Sequence, residues 1–117
     1  MPATEKKDET TESELQITLQ YFDGCPNWQT AAAHLSTLVA EGLAASLDYE
    51  LINTYEAAVA RSFRGSPTVL VDGVDPFADA NAPIGLACRV YRTADGYAGS
   101  PSLPQLRQAI AAIPGPE

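Results

Sequence analysis

The hydrophobic patterning of this chain predicts an α/β fold with four strands and three helices in the order β-α-β-α-β-β-α. Three observations carry that expectation. Two segments alternate apolar and polar side chains with the period of a strand, and each is followed by a segment patterned as a helix. Two further apolar runs then follow with no helical pattern between them. Turn signals, DGCP, GSP and TADG among them, separate the segments. Alternation of the first four elements implies a parallel pair joined by a right-handed crossover, with the last two strands antiparallel beside it in a central four-stranded mixed sheet.

Each element has its own justification. Leu15 to Phe22, LQITLQYF, sets Leu15, Ile17 and Leu19 against Gln16, Thr18 and Gln20 and ends in two aromatics, which suits a first strand. DGCP turns the chain. Pro26 fits the first position of a helix, where the N–H it lacks has no intrahelical partner. Trp28, Ala31, Ala32, Leu35, Leu38 and Val39 then make one apolar face, and Gly42 supplies a stop. Ser46 to Asn53 alternates Leu47, Tyr49 and Leu51 with Asp48 and Glu50, giving a second strand. Thr54 caps the helix over YEAAVARSF. Thr68 to Val71 is a third strand, and GVDPFADANAPIG is a long connection with two prolines and two glycines. LACRVYR is the fourth strand, and Leu103 to Ile113 a last helix ended by PGP.

With 117 residues, 45% of them hydrophobic, the chain has room for one core. Residues 1–14, MPATEKKDETTESE, carry seven charged side chains and almost no apolar ones, too few to offset the entropy of ordering them. They read as a disordered acidic tail, with the domain over residues 15–113 and a short C-terminal tail at 114–117. The basic pair Lys6 and Lys7 is followed by acidic and hydroxyl residues, so the tail is no signal peptide, and no stretch is long enough to span a bilayer. A cytoplasmic location follows, and with it reduced thiols, so a structural disulfide is not expected between two cysteines 63 positions apart. A net charge of −8 argues against nucleic acid. All five arginines lie between Arg61 and Arg107, which allows a local basic spot near Arg61 and Arg64; singly, Arg61, Arg92 and Arg107 read as solvated surface residues.

This element order, with Cys25 just after the first strand and Ser66-Pro67-Thr68 just before the third, resembles the thioredoxin-like superfamily. More narrowly, YFDGCPNW, FRGSPTVLVDGVDPF and GLACRVYRT resemble a small bacterial group of DF family (seleno)proteins, also labelled alkylmercury lyase-like. The likeness covers about Leu15 to Ile113. It implies a thioredoxin-like fold, a reactive cysteine at Cys25 and a cis-proline at Pro67 lying against it; it implies no particular substrate. The chain departs from thioredoxin where a dithiol enzyme needs Cys-x-x-Cys: the fourth position of CPNW is Trp28, which excludes exchange between neighbouring thiols.

Cys25, just before Pro26, is expected at the N-cap, where first-turn N–H groups and the helix dipole favour a thiolate; Asp23 would oppose this if close. The alternative is a small inert core residue. Trp28 is either a core aromatic or a shield and ligand contact for the thiol. If Ser66–Pro67 is cis, as the resemblance implies, Ser66 and Thr68 turn backbone groups toward a groove where a peptide or glutathione can pair with them. Cys88 reads first as core packing beside Leu86 and Val90. An ordinary hairpin would leave it on the order of 10 Å from Cys25, beyond disulfide reach; a shifted pairing would instead make it a distant resolving thiol or a second soft-metal ligand. Asp75, Pro76 and Phe77 shape a turn, or else Phe77 forms a lid. His34 is a packing residue, and the two cysteines and one histidine have no zinc spacing.

Three functions follow as expectations. The first is a thiol-dependent redox protein, an oxidoreductase or thiol peroxidase, using Cys25 as a single nucleophile resolved by a small glutathione-like thiol or a protein thiol. The second is binding of a soft metal or organomercurial through Cys25 and Cys88. The third is a non-catalytic binding module. Catalysis would rest on Cys25 and Cys88, and substrate binding on Pro26, Trp28, Ser66, Pro67, Thr68 and Phe77; no cofactor and no resident metal are implied, and the oligomeric state is not read from the sequence.

Overall fold

A computed structural model describes residues 15–78 and 81–112. Both expected tails lie outside the described residues. Strand β1 (Gln16–Tyr21) is central, with β2 (Ser46–Leu51) parallel on one side and β3 (Thr68–Val71) antiparallel on the other. The register sets Ile17 beside Leu47 and Val71, and Leu19 beside Tyr49 and Val69. Because side chains alternate along a strand, Ile17, Leu19, Val69 and Val71 share one face, and all four are fully buried. Helices α1 (Trp28–Ala40) and α3 (Leu103–Ala111) cover that face through Ala31, Leu35, Leu38, Leu106 and Ile110. Each large aliphatic side chain so buried contributes about 1.5–3 kcal/mol. A smaller cluster of Ile52, Ala58 and Phe63, joined by Phe22, Ile84 and Leu86, anchors α2 (Tyr55–Arg61) and the returning connection.

The helix ends follow local chemistry. Thr54 accepts the Ala57 N–H at 3.0 Å, as its sequence position predicts. Ser102 and Gln105 form a reciprocal capping box at α3, whose first turn also holds Pro104. At α1 the expectation needs correction: the N-cap is Asn27, so Pro26 precedes the helix and Cys25 lies two residues before the cap. Arg61 and Arg107 lie at the surface, as the sequence reading has them, and each has a carboxylate partner there, Glu50 at 2.6 Å and Glu41 at 2.8 Å. Both arginines are exposed, so each pair contributes under about 1 kcal/mol.

The central sheet has three strands, not four. Strand β4 (Tyr91–Thr93) pairs instead with β5 (Gly96–Ala98) in a separate hairpin closed by Ala94 and Asp95. A two-residue turn closes at far lower entropic cost than the return across the long 73–85 connection to β3. Thr93 Oγ1 donates to the Gly96 carbonyl at 2.7 Å, and Gly96 takes a positive φ of 111°. Residues 86–90 join no named strand; their backbone pairs with the fold at one parallel bridge, Ser66 to Cys88, just before β3 begins. Among the described residues no helix is long and apolar enough to cross a membrane.

Candidate functional site

The site forms where three segments meet: the β1–α1 turn, the loop before β3, and residues 87–91. The turn is tight. The Cys25 N–H donates to the Phe22 carbonyl at 3.0 Å, and the Phe22 ring lies over Gly24, where an added Cβ would come within 2.6 Å of it. The Phe22 N–H in turn donates to Ser66 Oγ at 3.1 Å, tying the turn to the loop before β3.

Ser66 is fully buried, and both of its backbone groups are occupied by the chain itself. Its N–H donates to the Ala87 carbonyl and its carbonyl accepts the Arg89 N–H, each at 2.8 Å. Gly65, at φ +125°, lets this segment approach: an added Cβ would lie 3.0 Å from Arg89 Cβ. The Ser66–Pro67 peptide is cis, as the resemblance implies. The Ser66 groups expected to face an open groove are therefore paired with residues 87–89, while Thr68 is paired with Gln20 in the sheet.

That pairing carries Cys88 to Cys25. The two form a disulfide with their Cα atoms 5.6 Å apart, overturning the separation that an ordinary hairpin would give. The two cysteines differ in exposure: Cys25 is fully buried, whereas Cys88 is an exposed residue. The expectation that Cys88 packs in the core with Val90 is likewise overturned, because Val90 is 64% exposed. Asn27 makes no cap bond; its Nδ2 lies 3.7 Å from Cys25 Sγ as a donor. The Ser66 carbonyl oxygen is 3.6 Å from the same sulfur.

Arg89 and Tyr91 point inward and hold the loop in place. Arg89 pairs with Asp75 at 2.7 Å, reaches Thr68 Oγ1 at 3.2 Å and the Phe77 carbonyl, and stacks 4.7 Å from the Tyr91 ring centroid. Thr68 Oγ1 donates to the Gly65 carbonyl at 2.6 Å. Tyr91 donates its hydroxyl proton to the Pro67 carbonyl. Burial pushes the Tyr91 phenol well above its ordinary range; the Arg89 charge opposes that rise and Asp75 adds to it.

The remaining sequence-predicted residues divide. Phe77 packs edge-on against Tyr91 and on the main core, and its N–H donates to Asp75 Oδ1 at 2.8 Å, so Asp75, Pro76 and Phe77 form an anchored turn. Trp28 stacks with Tyr21, ring centroids 4.4 Å apart, and meets Tyr49 edge-on. Pro26 is exposed on the turn. His34 bridges α1 to the Pro101 carbonyl at 3.3 Å. Asn27, Arg89 and Tyr91 were not singled out from the sequence. A signal for the last two was present, because in LACRVYR a period of two puts Arg89 and Tyr91 on one side and Cys88 and Val90 on the other.

Among the described residues no three His, Cys, Asp or Glu side chains are grouped so as to hold a metal ion. No protein-family model matches the chain, and no curated protein or solved structure matches it significantly.

Proposed function

We propose that this chain is a thiol–disulfide redox protein with a thioredoxin-like arrangement, working through Cys25 and Cys88 as a pair. One observation carries the reading: the bond between them joins the β1–α1 turn to a segment seated on Ser66, with one cysteine buried and the other exposed. Support for the arrangement comes from the parallel β1–β2 pair, the antiparallel β3 and the position of Ser66 beside Cys25.

The difference in access sets the order of events. An external thiolate attacks Cys88 Sγ, the sulfur it can reach, and the Cys25–Cys88 bond breaks. Cys25 leaves as a thiolate, toward which Asn27 Nδ2 donates. A second external thiol attacks the incoming sulfur of the mixed disulfide, which frees Cys88. Two thiols become one external disulfide, the protein gains two electrons, and two protons end on the two cysteines. Cys88 is thus the point of attack and Cys25 the leaving group, which replaces the single-nucleophile scheme expected from sequence.

Equilibration of the folded protein in graded glutathione buffers, followed by alkylation and mass measurement, tests this. Both cysteines should become reactive together in one reversible transition while the circular dichroism stays native. A bond that resists every buffer until the chain unfolds is a structural cross-link, and the proposal then fails. The same short Cα separation favours a second reading, in which the reduced pair holds a two-coordinate soft ion. Stoichiometric mercuric binding that needs both sulfurs, without turnover of thiols, would select it.

A further inference from the structure

Cys88 reaches Cys25 without a sheet to hold it there, since residues 86–90 join no named strand and pair their backbone with the fold at one bridge to Ser66. Two side chains just after Cys88 supply the grip that a ladder would. Arg89, whose side chain is 10% exposed, forms an ion pair with Asp75 at 2.7 Å and donates to Thr68 Oγ1 at 3.2 Å and to the Phe77 carbonyl. Tyr91 is buried and donates its hydroxyl proton to the Pro67 carbonyl. Two of these contacts end on Pro67 and Thr68, and the carbonyl oxygen of the preceding residue, Ser66, lies 3.6 Å from Cys25 Sγ. The Phe22 N–H donates to Ser66 Oγ, so the same loop is tied to the turn that carries Cys25. One short loop thus grips the segment of one cysteine and touches the sulfur of the other. None of the Arg89 and Tyr91 contacts involves a sulfur, so reduction of the disulfide removes none of them.

We propose that Arg89 and Tyr91 are positioning residues for the thiol pair: they keep Cys88 beside Cys25 in the reduced protein and so set how readily the bond re-forms. The proposal rests on the redox reading above and concerns the return half of its cycle. Glutathione disulfide serves as oxidant. One of its sulfurs bonds to Cys88 and the other leaves as glutathione; the Cys25 thiolate then attacks Cys88 Sγ, and the second glutathione departs with the electron pair and takes a proton. The protein loses two electrons, and the external disulfide gains them. Because the second step is intramolecular, its equilibrium measures the effective concentration of one sulfur at the other. Joined by the chain alone, thiols 63 positions apart meet at about a millimolar or less, whereas oriented groups reach values many orders higher. Without the two anchors the segment is released in the reduced protein but stays tethered in the oxidised one, so the balance moves toward the thiols.

The test equilibrates the parent and its variants in graded glutathione buffers, quenches in acid, alkylates and measures the mass. The quantity read is the ratio of squared glutathione to glutathione disulfide at which half the protein is oxidised. Arg89→Met should lower that ratio roughly tenfold or more, and Tyr91→Phe, which loses one buried hydrogen bond, roughly fivefold, with native circular dichroism in both redox forms. Arg89→Lys keeps the charge without the forked guanidinium and should fall between Arg89→Met and the parent. Ile110→Val trims the main core at α3, weakens both redox forms alike and should leave the ratio within about twofold of the parent. If reduced Arg89→Met unfolds, the comparison of Tyr91→Phe with Ile110→Val decides. Parent-like ratios in Arg89→Met and Tyr91→Phe, or an equal shift in Ile110→Val and Tyr91→Phe, would overturn the positioning role and leave the redox reading intact. A parent bond that no buffer reduces in the folded protein would overturn both.

Discussion

Reducing the Cys25–Cys88 bond should lower the global stability of the domain by a calculable amount. The bond closes a loop between residues 63 positions apart, and in the chain-entropy account a closed loop of that length restricts the unfolded ensemble by about 4 kcal/mol. For a domain of this size that corresponds to a fall in Tm of roughly 15–30 °C. The native side changes less, because the Ser66 bonds to Ala87 and Arg89 remain available in the reduced chain, each contributing about 1 kcal/mol net. Urea unfolding of the same protein with and without dithiothreitol, followed by circular dichroism, measures the difference directly. A shift of several kcal/mol with a rise in m would fit a longer, less restricted unfolded chain. A shift below about 1 kcal/mol would refute the reasoning, since a covalent closure of this length cannot be so nearly neutral unless the native state is strained by as much.

Three further outcomes follow from the same geometry. Arg89→Met removes one partner of an ion pair whose side chains are only 10% and 19% exposed, so chemical denaturation should show a loss of about 3 kcal/mol. The Tyr91 phenol titrates above its ordinary 10.0 when folded, so the stability it supplies is intact below that value and declines as pH rises past it. Urea midpoints taken at rising alkaline pH should show that decline in the parent and a flatter profile in Tyr91→Phe. In Gly99→Ala the new Cβ would clash with the Asn27 amide and displace it from its present place beside Cys25, which should slow reduction by dithiothreitol several-fold. Gly85→Ala, where an added Cβ meets nothing within 4 Å, should leave that rate unchanged.

The elements were legible where the pattern was local. Alternation in LQITLQYF and SLDYELIN, and the three-and-four spacing from Trp28 to Val39, reflect one buried face each, so β1, β2 and α1 lie where those periods begin. Thr54 capped its helix because a cap needs only its own four residues. What was not legible depended on distant partners. The hydropathy of LACRVYR favours burying Cys88 and Val90, yet Arg89 and Tyr91 turn inward because Asp75, the Phe77 carbonyl and the Pro67 carbonyl await them there. The placement of Cys88 then follows from that inversion. Cys25 lies at the strand-to-helix turn that drew attention to it, and its full burial matches the small-core-residue alternative, not an exposed N-cap thiol. Asn27 gave no signal, because with Cys25 expected at the N-cap and Pro26 at the first helical position it falls inside the first turn.

The account stands on Cys88 being the sulfur through which electrons enter a folded, reversible pair. The most direct measurement is to expose the oxidised native protein briefly to glutathione, quench in acid, and locate the first mixed disulfide by peptide mass spectrometry. Glutathione found on Cys88, with Cys25 free and the native circular dichroism retained, is the predicted result. Glutathione found first on Cys25, or adducts that form only after the chain has unfolded, would contradict it.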